Sequence, residues 1–268
     1  MSHAMVNRFL GWRLAALING FQDATAYRIE FLFEVLGQAA VPVAIQWVLW
    51  FSLTSGGGNF GGMTYVELLQ YTFTSMLFSQ IRGGDHDFEL AEMIRSGSLS
   101  NYLLKPVSVV EFVYLRGIAA KILIAGTCLL AGALASHWLG VSPFRLLGGM
   151  FLAMIGNIIH YQISAALASI SFYWEEAYAV LWIKNMVVSI LSGELIPLSL
   201  VPESWSWVWK SLPFYLYVYG PTEFALGKWS TQEYFHQLLI SCAWLIVGWI
   251  LIRTSWKIGI YRYQSLGG

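Results

Sequence analysis

Six apolar stretches, each about the length that crosses the hydrocarbon core of a bilayer, constrain this chain more than any other feature. A spanning helix needs roughly 20 mostly apolar residues. Runs of that kind, bounded by charge or by Gly and Pro, occupy 24–53, 64–82, 109–138, 146–173, 177–195 and 234–252. The second and fifth have the shortest uncharged cores, because Glu67 and Lys184 cut into them. Composition agrees: 57% of the 268 residues are hydrophobic and 11% are charged, against roughly 25% charged in a soluble domain. A water-soluble fold of this size cannot hide so much apolar surface. The fold expected is an all-α integral membrane protein, one transmembrane domain over 1–268.

Charge gives the orientation. Fifteen Lys and Arg balance fifteen Asp and Glu, so no net basic field draws the chain to nucleic acid. With the N-terminus inside, all the Lys and Arg fall on the cytoplasmic side except Arg145, Lys210 and Lys228. Cytoplasmic flanks retain positive charge, which predicts a multi-pass protein of the inner (plasma) membrane with both termini in the cytoplasm. The amphipathic N-terminus lacks the continuous short apolar core of a cleavable signal.

Three segments outside the spans are distinctive. Over 5–23, Leu10, Leu14, Leu17 and Phe21 recur at helical spacing while Arg8, Asn19 and Gln22 point elsewhere, the pattern of an amphipathic helix in the membrane interface. Over 83–107 a long charged loop separates spans two and three; Gly83 and Gly84 break the preceding helix, and a short amphipathic helix is predicted over 87–94, with Phe88 and Ala91 on its apolar side. Gly97 ends it and Pro106 introduces the next span. Such a helix at the cytoplasmic face is placed to dock on a soluble partner. Over 193–230 the chain carries Pro197, Pro202, Pro213 and Pro221 among many Trp and Tyr. Apolar pieces too short to cross, separated by proline, predict re-entrant extracytoplasmic helices before the last span.

Catalytic signatures are missing. No GxxxxGK[ST] phosphate loop occurs, so ATP would have to be handled by another subunit. GxSxG and HExxH are absent as well. Asp85, His86, Asp87 and Glu89 lie close together but lack a second ligand group at a recognised spacing, so no metal site is expected. Cys128 and Cys242 sit in apolar stretches and read as packing residues. Polar residues inside the spans are candidates for a substrate pathway: Glu30 and Glu34 on one face of the first span, Thr72, Ser75 and Ser79 as a stripe along the second, His160 in the fourth, and Glu194 at the end of the fifth. Each also has a bland reading as a helix-packing or rim residue. Glu194 and Glu223 among aromatics would suit an amphipathic cation.

The segment MIRSGSLSNYLLKPVS (93–108) resembles the cytoplasmic-loop signature I-x-x-G-x-L-x-x-x-L-x-[KR]-P of ABC-2 type permeases, carried here by Ile94, Gly97, Leu99, Leu103, Lys105 and Pro106. The outer segment resembles the same family in Gly193, Pro197, Leu198, Pro202, Leu212, Pro213, Phe214, Pro221 and Gly227. The tail YRYQSLGG (261–268) is similar to a glycine ending in one subgroup. The resemblance implies an N-terminal interfacial helix, six spans, a coupling helix and re-entrant outer helices. It further implies a non-catalytic permease that pairs with a second permease, as homo- or heterodimer, within membrane lipids. Separate ABC ATPase subunits would bind ATP and Mg, and would be coupled through Asp87, Phe88, Glu89, Glu92, Arg95, Gly97, Leu99, Leu103, Leu104 and Lys105. An ion-coupled secondary transporter is the alternative function.

Overall fold

A computed structural model describes the backbone over 3–26, 28–82 and 86–263, and side chains over 11–26, 37, 40–82 and 88–263. Within these residues the protein is helical, and its one extended contact is an isolated bridge between Phe60 and Met63. Helices α1 (His3–Ala26) and α2 (Arg28–Thr54) are followed by α3 (Tyr65–Arg82), the short α4 (His86–Arg95) and the single turn α5 (Ser100–Leu103). Next come α6 (Val109–Leu134), the turn α7 (Ser136–Leu139), α8 (Pro143–Ala168) and α9 (Ala177–Leu191). The short helices α10 (Ser206–Ser211) and α11 (Tyr219–Ala225) then lead to α12 (Thr231–Ile260).

Of the six expected spans, three stand out among the described residues as helices long and apolar enough to cross a membrane: α6, α8 with its 3₁₀ extension to Phe172, and α12. Helix α9 is apolar but shorter, and 40–54, the part of α2 with side chains described throughout, is apolar as well. The first expected span does not begin at Ala24, because α1 ends at Ala26 and α2 begins at Arg28.

Helix α8 is the axis of the bundle and touches α3, α6, α9, α11 and α12. Its most apolar stretch is 56% buried, against 17% for α12. Close approach to α8 depends on small residues one or two turns apart. A Cβ on Gly149 would stand 2.8 Å from the Pro221 carbonyl, and one on Gly156 would stand 3.0 Å from Tyr217 Cα. The outward faces stay apolar: Val41, Ile45 and Val48 on α2, Trp182 and Met186 on α9, and Leu239 and Ile246 on α12 are all more than half exposed. At about 25 cal/mol per Å², such a surface is stable only against another apolar phase. The protein is a multi-pass membrane protein.

Helix α1 lies along the first turns of α6. The Arg13 guanidinium pairs with Glu111 (Nε to Oε2, 3.0 Å) and Arg116 with Asp23 (3.7 Å). The face turned to the protein carries small residues. Ala16 and Gly20 are buried, a Cβ on Gly20 would stand 2.1 Å from the Arg116 carbonyl, and Leu14 is 60% exposed. The smaller side chains make the protein contact because they admit a backbone.

Candidate functional site

Two sites emerge, one on the short helices after α3 and one where α9 breaks. Helix α4 exists because its apolar positions fall on one face. Leu90, Ala91, Met93 and Ile94 are buried and pack with Val109, Val113, Ala165, Ala168 and Leu181 from α6, α8 and α9. The polar side chains extend that grip: Glu89 pairs with Arg116 of α6 (3.2 Å), and Glu92 accepts from the Tyr178 hydroxyl of α9 while pairing with Arg95 (3.2 Å). Phe88 stacks on Tyr178, centroids 5.8 Å apart, and leans on Trp182.

The chain turns at Gly97 in the left-handed region (φ +76°), which favours glycine. Leu99 then folds back to donate its N–H to the Met93 carbonyl (3.0 Å) and is fully buried. It therefore anchors the turn rather than offering a contact to a partner. Exposed at this end are Arg95, Leu103, Lys105 and above all Leu104, at 89%. The side chain of Asp87 lies outside the described residues. The C-terminal segment closes the turn: the Tyr263 hydroxyl donates to the Gly97 carbonyl (2.7 Å) and accepts from the Ser100 N–H (3.1 Å). Neither contact was expected from the sequence.

The second site begins where α9 stops. Fifteen residues give about 22 Å of helix, short of a crossing, so the fifth expected span ends at Leu191 rather than at Leu195. Gly193 takes φ +77°, and a Cβ there would meet Tyr219 Cβ at 2.8 Å and the Tyr71 hydroxyl at 2.9 Å. Carbonyls released at the break find tertiary donors. Ser192 accepts from the Tyr219 N–H (2.8 Å), Gly193 from the Tyr71 hydroxyl (2.6 Å), and Glu194 from Gln46 Nε2 (3.1 Å).

Charge closes the same place. Arg82, the last residue of α3, reaches Glu194 (Nη2 to Oε2, 2.7 Å) with side chains only 13% and 20% exposed, and also approaches Ser189 Oγ (3.4 Å). The expected spans put these two residues on opposite sides of the membrane. They meet because α9 ends partway along α3. The last carbonyls of α3 are also taken: Lys121 of α6 donates to Gln80 O (3.1 Å), and Asn157 Nδ2 of α8 donates to Ile81 O (2.8 Å) and Arg82 O (3.0 Å). Asn157 thus caps a buried helix end. Replacing it with Ala removes one side of two buried hydrogen bonds and is expected to destabilise the fold by about 2 kcal/mol. Thermal unfolding in detergent measures this, and an unchanged midpoint would remove the capping role.

From 213 to 225 the chain is buried almost throughout. Pro213 opens a 3₁₀ turn through Phe214, and Pro221 sits in the first turn of α11, where a missing N–H is tolerated. Tyr217 packs at Gly156, the fourteenth of the twenty-six residues of α8. Backbone bonds stay satisfied, Tyr217 N–H to Phe214 O at 3.1 Å and Thr222 N–H to Val218 O at 3.0 Å. By contrast Pro202 precedes a turn at the surface, where Trp205 and Trp207 are exposed, while Pro197 and Leu198 are buried.

The remaining pathway residues are occupied. Thr72 accepts from the Trp50 indole (2.9 Å), while Ser75 and Ser79 donate to carbonyls of their own helix. His160 contacts Lys184 Nζ (3.3 Å), which also donates to Ser164 (2.7 Å), so this group joins α8 to α9. Lys184, counted with the cytoplasmic charges by sequence, is buried. Glu194 is paired with Arg82, while Glu223 faces Lys228 at 3.6 Å with its Oε1 buried and, among the described residues, without a hydrogen-bond partner. The side chains of Glu30 and Glu34 lie outside the described residues.

No curated protein and no solved structure matches the chain. The family described as ABC-2 family transporter protein matches residues 40–267, from the middle of α2 through α12 and the closing Tyr263. With that span covering most of the 268 residues, the chain belongs to the ABC-2 family transporter proteins.

Proposed function

We propose that this chain is the permease subunit of an ATP-driven exporter in which separate ATPase subunits bind ATP and Mg, and the permease itself catalyses nothing. The observation that carries the proposal, beside the family, is the α4–α5 unit. Its buried face grips α6, α8 and α9, Tyr263 ties it to the end of α12, and Arg95, Leu103, Leu104 and Lys105 face outward. A motor docked on that outer face moves several helices at once. In this reading α2 and α3 are two further spans and α9, continued by the chain beyond its break, makes the sixth, with both termini in the cytoplasm of an inner-membrane protein, and two permeases, alike or different, form the pathway. The segment 193–230 re-enters from the outside, supported by the contact of Tyr217 with the midpoint of α8. ATP binding then shifts populations between inward- and outward-open states, with the Arg82–Glu194 pair holding α9 to α3 in the state described.

Purification decides between this and an ion-coupled secondary transporter. Tagged permease drawn from native membranes is expected to bring a Walker-motif ATPase with it, and the permease stripped of that subunit to hydrolyse no ATP. Transport that survives without the ATPase and collapses with the proton gradient would establish the alternative.

A further inference from the structure

A groove of about 750 Å³ runs between the start of α6 and the last turns of α12. Val107 and Val110 form one wall, and Trp249, Ile252 and Trp256 form the other. Arg253 and Lys257, one helical turn apart, stand at its edge. Among the described residues neither has a carboxylate within ion-pairing distance, and the Arg253 guanidinium lies over the Trp249 ring, 4.4 Å from its centroid. The acid in the groove, Glu111, is taken by Arg13. An apolar slot with two unpaired cations at its rim complements one chemistry: a monoanionic phosphate attached to long hydrocarbon.

We infer that this groove binds an anionic glycerophospholipid of the leaflet at that end of the bundle. Its phosphate sits between Arg253 and Lys257, and one acyl chain lies along Trp249 and Ile252. Above the site the outward face of α12 stays apolar through Ile250 and Ile246, which continues the path for the chain. The two basic side chains lay their methylene stems on apolar wall and carry their charge to the headgroup level. The inference rests on α12 crossing the membrane and not on ATP as the motor, so the two readings fail separately.

The test uses the full chain in mild detergent with equimolar dioleoyl-phosphatidylglycerol and dioleoyl-phosphatidylcholine, read by native mass spectrometry. Wild type is expected to retain one phosphatidylglycerol per chain at about tenfold excess over phosphatidylcholine. R253Q/K257Q brings that ratio to about one, while R253K/K257R keeps it. V110W fills the groove and lowers phosphatidylglycerol retention with both charges in place. Equal retention of the two lipids by wild type, or an unchanged preference in R253Q/K257Q, overturns the inference. So does a V110W chain that keeps its lipid but loses a second permease or an ATPase, since the occupant is then protein.

Discussion

Glu194→Ala lowers the stability of the protein by about 3 to 5 kcal/mol, the usual cost of stranding one member of a buried ion pair. Arg82 is 13% exposed in its side chain and cannot reach water without leaving the interface between α3 and α9. It is always protonated, so it cannot escape the penalty by neutralising. The Gln46 hydrogen bond goes to the backbone carbonyl of residue 194 and survives the substitution, so the loss reads the ion pair alone. Thermal unfolding followed by the fluorescence of the thirteen tryptophans measures the loss. The double variant R82M/E194L recovers most of it, since a matched apolar pair leaves no charge behind. A single variant within about 1 kcal/mol of wild type would mean that the pair is solvated in practice.

Ala91→Pro is expected to abolish coupling while leaving the spans inserted. Ala91 is fully buried in the middle of the ten-residue α4. Proline there removes a helical N–H and collides with the carbonyl four residues back, at about 3 kcal/mol or more. A helix this short has no stability of its own and depends on its packed face, so the Glu89–Arg116 and Glu92–Tyr178 contacts go with it. Binding of the ATPase subunit should fall at least tenfold, about 1.4 kcal/mol, measured by the ATPase recovered per mole of permease. Ala91→Gly, which costs about 1 kcal/mol in a helix, should retain most of the binding. Wild-type recovery with proline at 91 would show that α4 plays no part in docking.

What the sequence disclosed and what it hid have physical reasons. Helix α4 was visible because its apolar positions share one face, and Gly97 marked its end because left-handed backbone favours glycine. The buried role of Leu99 was not, since an apolar residue in a loop signature serves a fold or a partner equally well. The fifth span looked long enough because hydropathy counts apolar residues and ignores where a helix stops; Gly193 was the signal of the stop. The Arg82–Glu194 pair joins residues 112 positions apart, and no local pattern announces such a contact. On helix α1 the leucine spacing did not say which residues meet the protein; Ala16 and Gly20 make that contact because they are small enough to admit a backbone.

The account stands or falls on what touches the exposed tip of α5. A photo-crosslinking residue at position 104, where Leu104 is 89% exposed, with a control at Phe144, 79% exposed at the start of α8, reads that contact in native membranes. The predicted result is an adduct between position 104 and an ATPase subunit carrying a Walker motif, with none from position 144. An adduct from 104 that contains no ATPase, or equal ATPase adducts from both positions, would contradict the assignment of this chain as a permease driven through its α4–α5 unit.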